Sequence, residues 1–163
     1  MVSQSFRQLR PATALDAGRV AEIYLAAVHQ AMPWLRLAHS DSQIRRWVGV
    51  ELLPRHEVWI SAQGSAVSGF LALSRDRTWI DQLYVDPSAQ GQGHGRALVE
   101  LAQARSPGQL QLWAFQGNAP ARAFYERRGF RAVEFRDGAT NEEREPDVCY
   151  RWSRRGSERF LQR

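Results

Sequence analysis

The chain has no lysine: all 22 of its basic residues are arginine. A P-loop is thereby excluded, because its G-x-x-x-x-G-K-[ST] run needs a lysine to reach the phosphates. There is one cysteine, Cys149, so no internal disulfide can form, which fits a reducing cytoplasm. Four dispersed histidines and no cysteine pair give no metal-ligand spacing, and no metal is expected. No apolar run approaches the ~20 residues that span a bilayer. The opening MVSQSFRQLRPAT lacks the apolar stretch of a signal peptide. These absences lead to the expectation of a cytoplasmic protein without a membrane partner. A net charge of +5 suits an anionic ligand or nucleic acid. Apart from the tail SRRGSERFLQR, however, the arginines are scattered. No basic stripe is interleaved with aromatics, so nucleic acid is not expected as a partner.

What is present is ordinary in bulk: 163 residues, 44% hydrophobic and 24% charged. That length predicts one domain with a core of its own, over residues 1–152, followed by a basic tail over 153–163. Ser5 to Arg10 reads as a first strand ending at Pro11. Asp16 to Ala31 has apolar residues at helical spacing (Val20, Ile23, Tyr24, Ala27), and a second helix starts near Ser40 or Asp41. Period two follows: Glu57 to Ala62 and Ala66 to Ser74 read as a hairpin, and Thr78 to Val85 as another strand. Gly93 to Arg105 returns to helical spacing. Gln109 to Phe115 alternates, and Asn118 to Arg128 is a helix closed by Gly129. Phe130 to Phe135 and Val148 to Trp152 read as the last strands. The order predicts a mixed α/β (α+β) architecture. Cys149 reads as a small core residue.

The most informative stretch is LYVDPSAQGQGHGRALVEL, residues 83–101. A strand enters a glycine-rich turn that opens a helix. Gly91, Gly93 and Gly95 let the backbone bend and approach a ligand, and the free N–H groups of the helix start suit a pyrophosphate. The spacing is G-x-G-x-G, unlike the G-x-G-x-x-G of a dinucleotide fold, and no acidic residue follows at the distance a ribose would need.

Gln90-Gly91-Gln92-Gly93-His94-Gly95 resembles the Q/R-x-x-G-x-G/A motif of the GNAT acetyltransferase superfamily, and Asn118 to Phe130, NAPARAFYERRGF, resembles its N-x-x-A-x-x-F-Y-x-x-x-G-F segment. The stretch DGATNEEREPDVCYRW is similar to the ending of a small bacterial GNAT subgroup of unassigned substrate. The resemblance implies a GNAT fold, a central mixed twisted sheet of about six to seven strands flanked by about four helices. It implies acetyl-CoA as co-substrate. The pyrophosphate would lie on Gln90 to Gly95 with Arg96 following, and the pantetheine arm on the backbone of Leu83, Tyr84 and Val85, as an added strand. Asn118 would bond the pantetheine, with Arg122 flanking it, and Tyr125 would protonate the leaving thiolate. Asn118 and Tyr125 are two helical turns apart and share a face. His94 reads as tuning anion binding.

The implied reaction is acetyl transfer to a small or peptidyl amine by direct attack in a ternary complex; the alternative is a non-catalytic acyl-CoA sensor. A chain without lysine cannot acetylate lysines of its own. An alkyl ammonium, with a pKa of about 10, must lose a proton first. Asp81 is the candidate base, sharing strand parity with Leu83 and Val85. In some relatives the base stands where this chain has Trp79, and Glu51, Glu57 and Glu134 remain open. A backbone N–H near Leu83 is the expected donor to the thioester oxygen. The connection MPWLRLAHSDSQ, residues 32–43, falls on the acceptor side. Trp34 lines that pocket or caps the core, and His39 contacts the acceptor or relays its proton. Homodimers are common in the superfamily, but nothing here specifies one.

Overall fold

The structure is a computed structural model that describes residues 6–155. Ser5 and most of the basic tail lie outside the described residues. The seven strands fall into two antiparallel sheets rather than one continuous sheet. The first, in order β1-β2-β3-β4, contains β1 (Arg7–Pro11), β2 (Glu57–Gln63), β3 (Ala66–Leu73) and β4 (Ile80–Val85). The second, in order β5-β7-β6, contains β5 (Gln109–Phe115), β6 (Arg131–Arg136) and β7 (Asp147–Ser153).

Alternation along β3 decides which layer lies on which face. Phe70 and Ala72 point into a core with Val20, Ala21 and Ile23 of helix α1 (Ala17–Ala31). Leu71 and Leu73 point the other way, against Leu98, Val99 and Ala102 of the helix His94–Arg105. Helices therefore cover both faces of this strand, and its side chains from Ser68 onward are buried. The second core continues into Leu110 and Leu112 of β5 and Val148 and Tyr150 of β7, which joins the two sheets.

Ser40 starts α2 (Asp41–Trp47) with a capping box: its hydroxyl accepts from the Gln43 N–H, and the Gln43 side chain reaches back to the Ser40 N–H. The helix continues through a π-helical turn, Val48–Leu52, into one further turn, α3 (Leu53–Arg55). The remaining helices are α4 (His94–Arg105) and α5 (Ala119–Glu126).

Strand β4 breaks its alternation. Ile80 pairs with Leu73 and Gln82 with Ala72, so Asp81 is the extra residue of a β-bulge. Ile80 and Leu83 consequently face the same core although three positions separate them. The expected shared parity of Asp81 with Leu83 does not survive this reset.

Candidate active site between the sheets

The two sheets touch through a parallel bridge between Trp79 and Gln111, where the Gln111 N–H donates to the Thr78 carbonyl at 2.9 Å. Beyond it β4 and β5 part. Residues 80–84 of β4 and 112–115 of β5 line the two sides of a cleft of about 680 Å³. A strand edge without a neighbour presents unpaired N–H and C=O groups, so this cleft can take an extended ligand between the sheets.

At its end β4 runs into the glycine turn. Asp86 closes a short turn by accepting from the Ser88 N–H and holds Arg19 of α1 at 2.7 Å. Gly91 and Gly93 adopt φ of 75° and 86°, where a side chain would strain the backbone. Gly93 caps α4, whose first-turn N–H groups lack intrahelical acceptors. A Cβ at Gly91 would meet nothing within 4 Å, while one on Gly95 would press on the Phe124 ring at 3.2 Å. The turn is thus open outward and packed inward, a fit for a pyrophosphate.

The side chains of this turn divide. Gln90 and Gln92 reach back to the carbonyls of Val85 and Ser88, and Arg96 pairs with Glu100 at 2.8 Å. His94 is turned inward and only 1% exposed, its Nδ1 2.7 Å from the Ser61 hydroxyl. Burial, and then Arg7, push its pKa down. Only its backbone can therefore meet an anion. Arg7 of β1 donates to the Gln92 carbonyl and packs against Gly93, a support with no signal in the motif itself.

Helix α5 carries the second motif. Asn118 caps it by accepting from the Ala121 N–H at 3.3 Å. Asn118, Ala121 and Tyr125 all line the cleft, as their spacing requires. Tyr125 packs edge-on against Phe124 and Phe130 and is 7% exposed. Burial raises its pKa well above the usual tyrosine value, so its hydroxyl keeps its proton. Arg122 is turned elsewhere: it donates to the Tyr150 hydroxyl and the Gln116 carbonyl and lies over the Phe135 ring.

Asp81 lines the cleft, its Oδ2 2.9 Å from Nε2 of His56. Burial raises its pKa, and His56 opposes the rise. The other carboxylates considered as bases are absent from the cleft wall. Glu51 is paired with Arg55 and Glu134 with Arg136. Glu57 is tied to Arg105, Arg77 and Trp59.

The cleft wall also holds aromatic and acidic side chains. Tyr24 of α1 and Tyr84 meet edge-on with centroids 5.0 Å apart. Burial, then Glu143 and Glu142, push the Tyr24 hydroxyl up to about 12. Both glutamates belong to the loop before β7, whose sequence reads only as a charged connection. Glu142 pairs with His39 at 2.9 Å, which joins the 32–40 connection to this loop at the cleft. Trp34 is not a cleft residue and is 55% exposed, its ring standing over Gly117.

The chain matches the acetyltransferase (GNAT) family over residues 14–130, more than half its length. It is 26% identical over 126 residues to the peptidyl-lysine N-acetyltransferase YiaC of Escherichia coli strain K12, covering 77% of this chain and 84% of that protein. Its fold is similar to the solution structure of apo YjaB from Escherichia coli, with a TM-score of 0.75 at 22% identity over 90% of this chain and 97% of that one. It is also similar to YncA from Salmonella typhimurium, solved with its cofactor acetyl-CoA, with a TM-score of 0.68 at 21% identity over 91% of this chain and 94% of that one. Among the described residues no helix is long and apolar enough to cross a membrane. By sequence match and by fold, the chain belongs to the acetyltransferase (GNAT) family.

Proposed function

We propose that the protein moves the acetyl group of acetyl-CoA onto a primary amine, with a lysine side chain of a polypeptide as acceptor. The observation that carries this reading is the convergence of Asp81 and Tyr125 on one cleft whose β4 wall leads into the glycine turn. The pyrophosphate would sit on the backbone of Gln90 to Gly95, and the pantetheine along β4 at Leu83 to Val85, beside Asn118. The match to YiaC, named for peptidyl-lysine, supports the acceptor class. So does Glu143, a cleft-wall carboxylate that can attract an ammonium group; Glu142 beside it pairs with His39, and the wall's Arg136 pairs with Glu134.

In this account Asp81 takes one proton from the ammonium. The neutral nitrogen attacks the thioester carbonyl carbon, and a β4 backbone N–H near Leu83 stabilises the charge on its oxygen. The C–S bond breaks as the C–N bond is completed, and Tyr125 gives its proton to the thiolate. The proton then lost from nitrogen replaces the one Tyr125 gave. The products are the amide, free CoA and one proton released through Asp81.

The test is thiol release from acetyl-CoA across a panel of amines and lysine peptides, with acceptor mass read in parallel. Amine-dependent thiol release with an acetyl gain on the acceptor is expected. Saturable acetyl-CoA binding without turnover on any amine would mean that the cleft senses the thioester and does not use it.

A further inference from the structure

We propose that His56 is a positioning residue for this transfer, holding the Asp81 carboxylate at the cleft wall and keeping it ionised by its own positive charge. The inference rests on the reading of Asp81 as the base.

The proton arrangement follows from the two ring nitrogens. Nδ1 of His56 stands 3.1 Å from the Leu52 carbonyl oxygen, an acceptor that a hydrogen on Nδ1 satisfies. Nε2 stands 2.9 Å from Asp81 Oδ2. A neutral imidazole with its hydrogen on Nδ1 would set a lone pair against a carboxylate lone pair, and one with its hydrogen on Nε2 would satisfy Asp81 alone. The imidazolium donates to both oxygens at once, and this is the form assigned to His56. An imidazolium partner favours the ionised carboxylate that can accept a proton from an amine, while burial of Asp81 works against it.

The platform under His56 is fixed. Its backbone N–H also donates to Leu52, and Arg75 of the β3–β4 turn donates to the Pro54 and Arg55 carbonyls. The end of α3 is thus tied to the turn that precedes the bulge carrying Asp81. Two charged groups bear on Asp81: His56, and Asp76 of the same turn, which opposes ionisation. Asp76 is held by Ser74 and Thr78. Glu51 and Arg55, on the helical segment beside His56, close on each other, and Glu57 is taken up by arginines. No other cation pairs with Asp81 among the described residues.

The experiment is the pH profile of kcat/KM for thiol release, with acetyl-CoA and a lysine peptide, in wild type, His56→Gln, His56→Ala, Asp81→Asn and the His56→Gln/Asp81→Asn pair. Glutamine keeps a donor and removes the charge. His56→Gln should move the acid limb upward by about one pH unit, a rate loss of about tenfold on that limb, and approach wild type at high pH. KM for acetyl-CoA and the melting temperature should hold. His56→Ala also loses the donor and should be slow at every pH. The paired variant should be no slower than Asp81→Asn. A wild-type profile in His56→Gln, or its full rate loss persisting on top of Asp81→Asn, would overturn the role of His56 and leave Asp81 as base. Wild-type turnover in Asp81→Asn would instead remove the base reading itself.

Discussion

Tyr125 combines two properties that rarely meet in a core tyrosine. It is packed among Phe124, Phe130 and Tyr150, yet its hydroxyl has no hydrogen-bond partner among the described residues and its side chain lines the cleft. Tyr125→Phe should lower kcat by about 10², with the Kd of acetyl-CoA unchanged, because only proton delivery is removed. Unchanged turnover would take Tyr125 out of the reaction. In the proposed reaction Asp81, as the base, sets the pH dependence. Its pKa is raised by burial, and a base works only when deprotonated, so kcat/KM should fall as pH drops through a point above the ordinary carboxylate range. Glu143 is half-buried in the cleft wall without a cationic partner among the described residues. Glu143→Gln should raise KM for a lysine peptide about fivefold, the effect of roughly 1 kcal/mol from one partly screened charge, and leave KM for acetyl-CoA alone. An unchanged peptide KM would place the acceptor's charge elsewhere.

Among the elements, the ties between β2, the β3–β4 turn and α4 meet at Glu57. Burial works against its charge, but hydrogen bonds from Arg105, Trp59 and Arg77 outweigh it and hold the pKa down to about 2. A depressed folded-state pKa adds stability that is present above the unfolded value, 4.5, and is lost as pH falls toward about 2. Acid unfolding followed by circular dichroism should show this loss in wild type and a flatter profile in Glu57→Gln. The glycine turn is the other sensitive element. Gly93→Asp would strain the backbone at φ 86°, bring a Cβ against the Arg7 guanidinium and add an anion at the turn proposed to hold the pyrophosphate. Most elements were legible because their patterns are local: the helix start near Ser40, the alternation along Ala66 to Ser74, the glycines of the turn after β4. The bulge at Asp81 was not read: Asp81 and Gln82 stand side by side between Ile80 and Leu83, but only pairing with β3 tells which residue of IDQLYV is the extra one.

At the scale of the molecule, two sheets share one core below the Trp79–Gln111 bridge and part above it. The coenzyme side of the cleft was legible because each motif lies on one segment: the turn entering α4, and Asn118 and Tyr125 two turns apart on α5. The acceptor side was not. His56, Glu142 and Glu143 come to this side from separate segments and read in sequence as ordinary polar residues, whereas His39 was a candidate by its place in the connection. Trp34, read as either a pocket wall or a core cap, is 55% exposed with its ring over Gly117. A ligand laid between the sheets binds only the folded chain, so acetyl-CoA at 100 times its Kd should add about 2.7 kcal/mol of stability. The most direct measurement is a calorimetric titration of acetyl-CoA into wild type and Gly93→Asp, with the folding of both checked beforehand. Saturable one-to-one binding to wild type, lost in folded Gly93→Asp, is the predicted result. No binding to wild type, or equal binding to both proteins, would contradict the assignment of this cleft and its glycine turn to the coenzyme.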